Sequence, residues 1–288
     1  MPKLTVAVTQ MACTPDTEDN QDRAEALVRR AAALGADLVL LQEFFATPYF
    51  CKDQLQAHFS SAAPADDHPV IERFSRLAAE LGVVLPISFF EQKNNAYYNS
   101  LAMVDRDGSL KGLYRKSHIP DGPGYQEKFY FNPGDTGLRV FDTAAGRIGC
   151  AICWDQWFPE AARVLALKGA DLIIYPTAIG SEPQDPTLDS RDHWTRVMQG
   201  HAAANMVPVL AANRTGTETG QSCTLTFYGS SFIAGPTGEL LARADREGEA
   251  VLTAFFDTDD IRAARASWGL FRDRRPDLYG AIATLDGG

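Results

Sequence analysis

The run Arg147-Ile148-Gly149-Cys150-Ala151-Ile152-Cys153-Trp154-Asp155 reads as an apolar strand that stops at a cysteine. Gln156-Trp157-Phe158-Pro159-Glu160 then opens a helix with a proline near its start. A turn of this kind lifts a side chain off the end of a sheet and leaves the next backbone N–H free for an anion. A thiol suits that place, because nearby charges can raise its thiolate fraction. Taken alone, Cys153 also reads as a small core hydrophobe, as most free cysteines are. Two other segments add to it. Residues 36–44 form an apolar run ending in the carboxylate Glu43, and residues 112–120 form an extended run reaching Lys116 before a Pro/Gly-rich loop. Open α/β sheets place reactive groups at such C-terminal strand ends. A carboxylate base, a cation and a thiol together describe covalent acyl transfer.

These three motifs, in this order, resemble those of the nitrilase (carbon-nitrogen hydrolase) superfamily. The resemblance covers nearly the whole chain, from Val6-Ala7-Val8-Thr9-Gln10-Met11 to Phe232-Ile233-Ala234-Gly235-Pro236-Thr237-Gly238-Glu239. It implies a catalytic triad of Glu43 as general base, Lys116 as oxyanion stabiliser and Cys153 as nucleophile. Glu127, in Gln126-Glu127-Lys128-Phe129-Tyr130-Phe131, matches a second glutamate that holds the lysine; by itself it also reads as a surface partner of Lys128. The resemblance further implies a four-layer α-β-β-α sandwich with two mixed sheets face to face, no cofactor, and a homo-oligomer built from dimers.

Substrate choice follows from a departure. Relatives that cleave carbamoyl groups from amino acids carry arginines shortly after the cysteine, suited to clamp a carboxylate in two places. This chain has Gln156-Trp157 there. Two acids, Asp121 and Glu182, sit instead in loops expected at the crevice and could receive an ammonium. Trp154, Ile179 and Tyr49 complete the expected substrate-binding set, although Tyr49 reads equally as a core aromatic. Cys153 through Glu160, and the stretch from Ala178 to Gly200 containing Asp189-Ser190-Arg191-Asp192-His193-Trp194, resemble the branch that acts on carbamoylated amines. The expected partner is therefore a small cationic ureido compound. Other ureido or ω-amide hydrolases, acting on carbamoyl-β-alanine or carbamoyl-amino acids, remain open, as does a non-catalytic thiol-sensing scaffold.

Composition narrows the classes. The chain has 288 residues and 45% hydrophobic content, enough for one large core; a single domain with a C-terminal extension from about residue 257 is expected. Its 27 Lys and Arg against 37 Asp and Glu give a net charge of −10, which disfavours nucleic acid and anionic membranes as partners. No apolar run approaches a membrane span, residues 1–8 read as a first strand, and the five cysteines suit reduced thiols, so a cytoplasmic enzyme is expected. Cys150 and Cys153 make a C-x-x-C spacing, but on a strand residues an odd number apart face opposite sides. The histidines show no ligand spacing, so no metal is expected. Cys13, Cys51, Cys150 and Cys223 read as structural.

The elements that must position these groups alternate along the chain. Strands are expected at 5–11, 37–42, 83–89, 100–105, 110–115, 139–142, 147–152, 171–175, 208–212, 229–234, 239–243 and 250–255. Helices are expected at 20–34, 70–81, 159–168 and 190–205, the last two with the apolar period of helices packed on a sheet. Asp107-Gly108 and Thr237-Gly238 read as hairpin turns.

Overall fold

The computed structural model describes residues 3–288. The first half of the chain runs β1 (Lys3–Gln10), α1 (Thr17–Ala33), β2 (Leu38–Leu40), α2 (Pro69–Leu81), β3 (Leu85–Lys93), β4 (Ala96–Val104) and β5 (Leu110–Arg115). β6 (Arg139–Thr143), β7 (Gly146–Cys150), α3 (Pro159–Leu167), β8 (Leu172–Thr177), α4 (Arg191–Asn205) and β9 (Val209–Asn213) follow. The chain closes with β10 (Thr215–Thr219), β11 (Thr224–Tyr228), β12 (Phe232–Ala234), β13 (Leu240–Arg243), β14 (Ala250–Asp257) and α5 (Thr258–Trp268).

One sheet has the order β14-β1-β2, and a parallel bridge between Leu38 and Val84 joins it to β3-β4-β5. The other has the order β13-β12-β9-β8-β7-β6. Both are mixed: β1 pairs parallel with β2, and β7, β8 and β9 pair parallel in turn, while their outer neighbours run antiparallel. Val6, Val8, Leu38 and Leu101 of the first sheet share one buried cluster with Ile148, Leu172, Ile174 and Leu210 of the second. The opposite face of the first sheet packs on Leu27 and Val28 of α1 and Phe74 and Leu77 of α2. The opposite face of the second packs on Leu165 of α3 and Trp194 and Met198 of α4. This is the four-layer α-β-β-α sandwich.

Local sequence explains the elements. Asp16 caps α1 by accepting from the Glu18 and Asp19 N–H groups, which extends the helix three residues N-terminal of the apolar periodicity. Pro69 begins α2 and Gly82 ends it in the left-handed region at φ +68°. The two expected hairpins form between β4 and β5 and between β12 and β13. The hairpin β10–β11 and helix α5 lie outside the expected elements. Thr215–Thr219 and Thr224–Tyr228 mix threonines with buried residues on one face only, so their hydrophobic signal is thin. α5 buries only Thr258 among its residues. Among the described residues no helix is long and apolar enough to cross a membrane.

The core predicts its own sensitivity. Phe74 is fully buried and meets Phe45 edge-on at 4.8 Å. Phe74→Ala should destabilise the protein by about 3–5 kcal/mol, read as a lower denaturant midpoint. A loss below about 1 kcal/mol would mean that α2 is not packed as described.

Candidate active site

Three strands deliver three reactive groups to one place. Glu43 follows β2, Lys116 follows β5 directly, and Cys153 lies three residues beyond β7. Glu43 and Glu127 are fully buried, Lys116 is 1% exposed and Cys153 is 6% exposed. The Lys116 ammonium donates to Glu43 Oε1 at 3.0 Å and to Glu127 Oε1 and Oε2 at 2.8 and 2.7 Å. Glu127 is thus bound to Lys116 inside the protein, not to Lys128 at the surface. Asn99 Nδ2 donates to Glu43 Oε1 at 2.6 Å, and the Tyr49 hydroxyl donates to Glu127 Oε1 at 2.7 Å. Glu43 Oε2 is buried and has no hydrogen-bond partner among the described residues. It is the one carboxylate oxygen of the Glu43–Lys116–Glu127 cluster left without a partner.

The cysteine sits on a strained turn. Cys153 has φ +42°, a left-handed conformation that a side chain adopts at a cost of about 1–3 kcal/mol and that surrounding contacts must enforce. A short 3-10 turn at Cys153–Trp157 follows, before α3. Asp155, fully buried, supplies the enforcement. Its carboxylate accepts from the Ile152 N–H at 2.9 Å, the Tyr114 hydroxyl at 2.6 Å and the His118 N–H at 2.9 Å, and pairs with His118 Nδ1 at 2.7 Å. One carboxylate therefore ties the cysteine turn to the two residues that flank Lys116 at a distance of two. The turn also overrides the strand alternation: Cys150 and Cys153 both belong to the cluster between the sheets, rather than facing opposite sides. All five cysteines are free thiols.

Electrostatics set the resting protonation. Burial pushes the Cys153 thiol well above its usual range, and the Glu43 charge adds to this while Lys116 opposes it. The resting sulfur is a neutral thiol, not the partly ionised one expected from the motif alone. Burial alone would lower Lys116, but the charges of Glu127 and Glu43 hold it well above the ordinary lysine range. Glu127 is pushed up to about 7, first by burial and then by Glu43, against the pull of Lys116. The Trp154 N–H lies at the start of the 3-10 turn, where backbone donors lack intrahelical partners. A neutral thiol, a free carboxylate oxygen and two donors for a developing oxyanion are the parts of acyl transfer through sulfur.

The other expected residues divide. Tyr49 is in the site, but as the buried donor to Glu127 rather than as a crevice wall. Trp154 contributes its backbone; its indole is 41% exposed and meets Trp157 at 6.3 Å. Ile179 is buried beside the cysteine turn. Asn213 holds its N–H and carbonyl, both at 2.9 Å, and its side chain belongs to the core cluster of Trp194 and Met198. The neighbouring Ala178 carbonyl is what meets Cys153 Sγ, at 3.7 Å. Glu182 is half-buried and Asp121 is exposed. Tyr125 is anchored on the backbone just before Glu182. Its hydroxyl accepts from the Gly180 N–H at 3.0 Å and donates to the Ser181 carbonyl at 3.1 Å. Burial pushes that hydroxyl well above its usual range, and the charges of Glu182 and Cys153 both act on it. Gln156 is turned away from the crevice, accepting from Trp194 Nε1 at 2.8 Å and Thr177 Oγ1 at 3.2 Å.

Asn99, Tyr125 and Asp155 escaped the sequence reading. Asn99-Ser100 is a polar pair inside an apolar strand, and Asp155 stands two residues after the cysteine; both were visible signals. Among the described residues no cluster of three or more metal-ligating side chains occurs.

A buried carboxylate, ammonium and thiol on converging strand ends of a two-sheet sandwich define a thiol hydrolase of amide-type bonds. The chain belongs to the carbon-nitrogen hydrolase family, whose model matches residues 5–266. It is 60% identical to the N-carbamoylputrescine amidase of Arabidopsis thaliana, over 99% of this chain and 97% of the relative. It is 53% identical to a citrullinase of Francisella tularensis, over 98% and 99% of the two chains. Among solved structures, a carbon-nitrogen hydrolase from Helicobacter pylori G27 superposes with a TM-score of 0.92 at 37% identity, covering 99% of this chain and 100% of that one.

The titration of Glu127 generates a pH prediction. As pH falls through about 7, Glu127 gains a proton and its hold on Lys116 weakens. The profile of kcat/KM, which reports the free enzyme, should therefore show an acid limb close to 7. Glu127→Gln should flatten that limb. A wild-type limb at the ordinary carboxylate value of about 4.3 would contradict the assignment.

Proposed function

We propose that this protein hydrolyses N-carbamoylputrescine to putrescine, carbon dioxide and ammonia, a step of polyamine formation. The observation that carries the reading is the buried Glu43–Lys116–Glu127 cluster beside Cys153, with an acid and no arginine pair at the substrate end. Glu43 Oε2 takes the thiol proton as the sulfur attacks the ureido carbon. The carbonyl oxygen becomes negative and is stabilised by the Lys116 ammonium and the Trp154 N–H. Glu43 then returns the proton to the departing nitrogen, leaving a thiocarbamate on Cys153. Water, deprotonated by Glu43, attacks it, regenerating the thiol and releasing a carbamic acid, which breaks down to carbon dioxide and the second amine. Overall one water is consumed. The charge on Lys116 is secured by Glu127, and Glu127 by Tyr49.

Glu182 is the proposed receptor for the terminal ammonium. It is half-buried and electrostatically coupled to Tyr125, which also feels Cys153, whereas Asp121 is exposed. The similarity to N-carbamoylputrescine amidases at about 60% identity supports the same substrate. One catalytic domain with an extension from about residue 257, cytoplasmic and self-associating, completes the reading. Exposed Trp268 and Ile282 beside a cavity of about 980 Å3 between α3, α4 and the C-terminal residues support the self-association.

Ammonia release tests substrate choice. N-carbamoylputrescine should exceed citrulline and N-carbamoyl-β-alanine in kcat/KM by about 10–100-fold, since Glu182 would pair with an ammonium and repel a carboxylate tail. Equal rates on a carboxylate-tailed substrate would overturn the reading. Glu182→Gln should raise KM by about 10–100-fold, the worth of one charged hydrogen bond. Asp121→Asn should stay within about twofold of wild type. Cys153→Ala should abolish turnover while keeping the fold, and measurable turnover would sink the assigned nucleophile.

A further inference from the structure

Arg214, in the single-residue gap between β9 and β10, is fully buried. From Nη2 it donates to the carbonyl oxygens of Glu43 at 2.7 Å and Phe44 at 3.0 Å. From Nη1 it donates to the Thr47 carbonyl at 3.2 Å and to Glu218 Oε1 at 2.7 Å. Glu218 is buried too, and its other oxygen accepts from the Tyr49 N–H at 2.7 Å. Lys52, 3.5 Å from that same oxygen, donates to the Tyr49 carbonyl at 3.0 Å. These bonds all converge on residues 43–52, the segment that begins with Glu43 and carries Tyr49.

That segment needs holding. Phe44 has φ +49°, which for a bulky residue costs about 1–3 kcal/mol and persists only where neighbours over-determine it. Arg214 grips the carbonyl on each side of this strained residue's N–Cα–C unit, that of Glu43 before it and its own after it. The Phe44 N–H is fixed separately by Ser88 Oγ at 3.1 Å. A buried ion pair contributes little net stability compared with apolar residues of the same volume. What the planar guanidinium supplies is direction, through a fixed fork that a lysine cannot reproduce.

We propose that Arg214 is a positioning residue: it fixes the turn after Glu43 so that the free carboxylate oxygen stays available to the Cys153 thiol. The proposal rests on the reading of Glu43 as the base for that thiol. Misplacing a reacting group by about 1 Å can cost about 100-fold in rate. The effect should therefore appear at the sulfur itself, independent of any substrate.

The test is the alkylation rate of Cys153 by iodoacetamide at neutral pH, followed by peptide mass spectrometry on the full chain. Glu43→Gln, Arg214→Met and Arg214→Lys should each slow labelling by about 10–100-fold. Glu43→Gln/Arg214→Met should be no slower than Glu43→Gln alone, because Arg214 acts through Glu43. Multiplicative slowing in the double variant would show a general structural role and overturn the proposal. So would wild-type labelling in the Arg214 variants when Glu43→Gln is slow. Wild-type or faster labelling in Glu43→Gln, the latter expected if Glu43 acts on the sulfur only as a repelling charge, would instead remove the base reading, and the proposal with it. Circular dichroism reports folding, and if Arg214→Met does not fold, Glu218→Gln enters the same cycle with the same expected and overturning outcomes.

Discussion

The structure depends on one buried cation held between two buried carboxylates. Placing Lys116 where it is 1% exposed is costly for an unpaired charge, and only Glu43 and Glu127 at hydrogen-bond distance make it tolerable. The same contacts put the three groups within reach of each other, so the condition for burying them is also the condition for their chemistry. The cluster carries one more carboxylate than it has cations. Burial first, and then the charge of Glu43, push both Glu127 and the Cys153 thiol upward, so each resists adding a further negative charge. In the proposed reaction charge moves onto the sulfur and then the substrate oxygen, and the charge of Lys116 already acts on that sulfur.

The fold converts this local requirement into a rigid one. Each group sits at or just beyond a strand end, and the strands belong to both sheets: β2 and β5 to one, β7 to the other. The site is therefore sensitive to how the sheets pack, and the shared cluster of Val8, Leu40, Ile152 and Cys153 shows how close that packing comes. Two non-glycine residues in left-handed conformations, Phe44 and Cys153, mark where the backbone is bent to present its side chains. Each is held by a buried charged side chain, Arg214 for one and Asp155 for the other. Strain at the reactive positions, held by ionic groups in the layer below, gives preorganisation without a ligand present.

Much of this was legible in the sequence, because strand ends and elbows leave strong local signals. Glu43, Lys116 and Cys153 each close an apolar run, and the sandwich follows from alternating strands and amphipathic helices. The hidden parts are those whose meaning is purely spatial. Arg214 and Glu218 carried no signal in the sequence: they pair with each other four residues apart, but the backbone groups they hold lie about 170 residues away. Tyr49 looked like a wall or a core ring until its hydroxyl was seen on Glu127. Ile179 shows the same spatial dependence: its side chain packs in the cluster of Trp194 and Met198, one residue from the Ala178 carbonyl that meets Cys153. Substrate end and fold core meet within one or two residues there, and periodicity does not resolve that.

The central claim is that Cys153 carries the acyl group during turnover. Rapid acid quench of the wild-type enzyme with saturating N-carbamoylputrescine, followed by peptide mass spectrometry, tests it directly. The account predicts a transient thiocarbamate on the peptide containing Cys153, carrying a carbamoyl group if the diamine leaves first, or the mass of the substrate less ammonia if ammonia does. It should be absent from Cys153→Ala. Full turnover with no adduct at Cys153 at any time, or an adduct on Cys13, Cys51, Cys150 or Cys223 instead, would contradict the account.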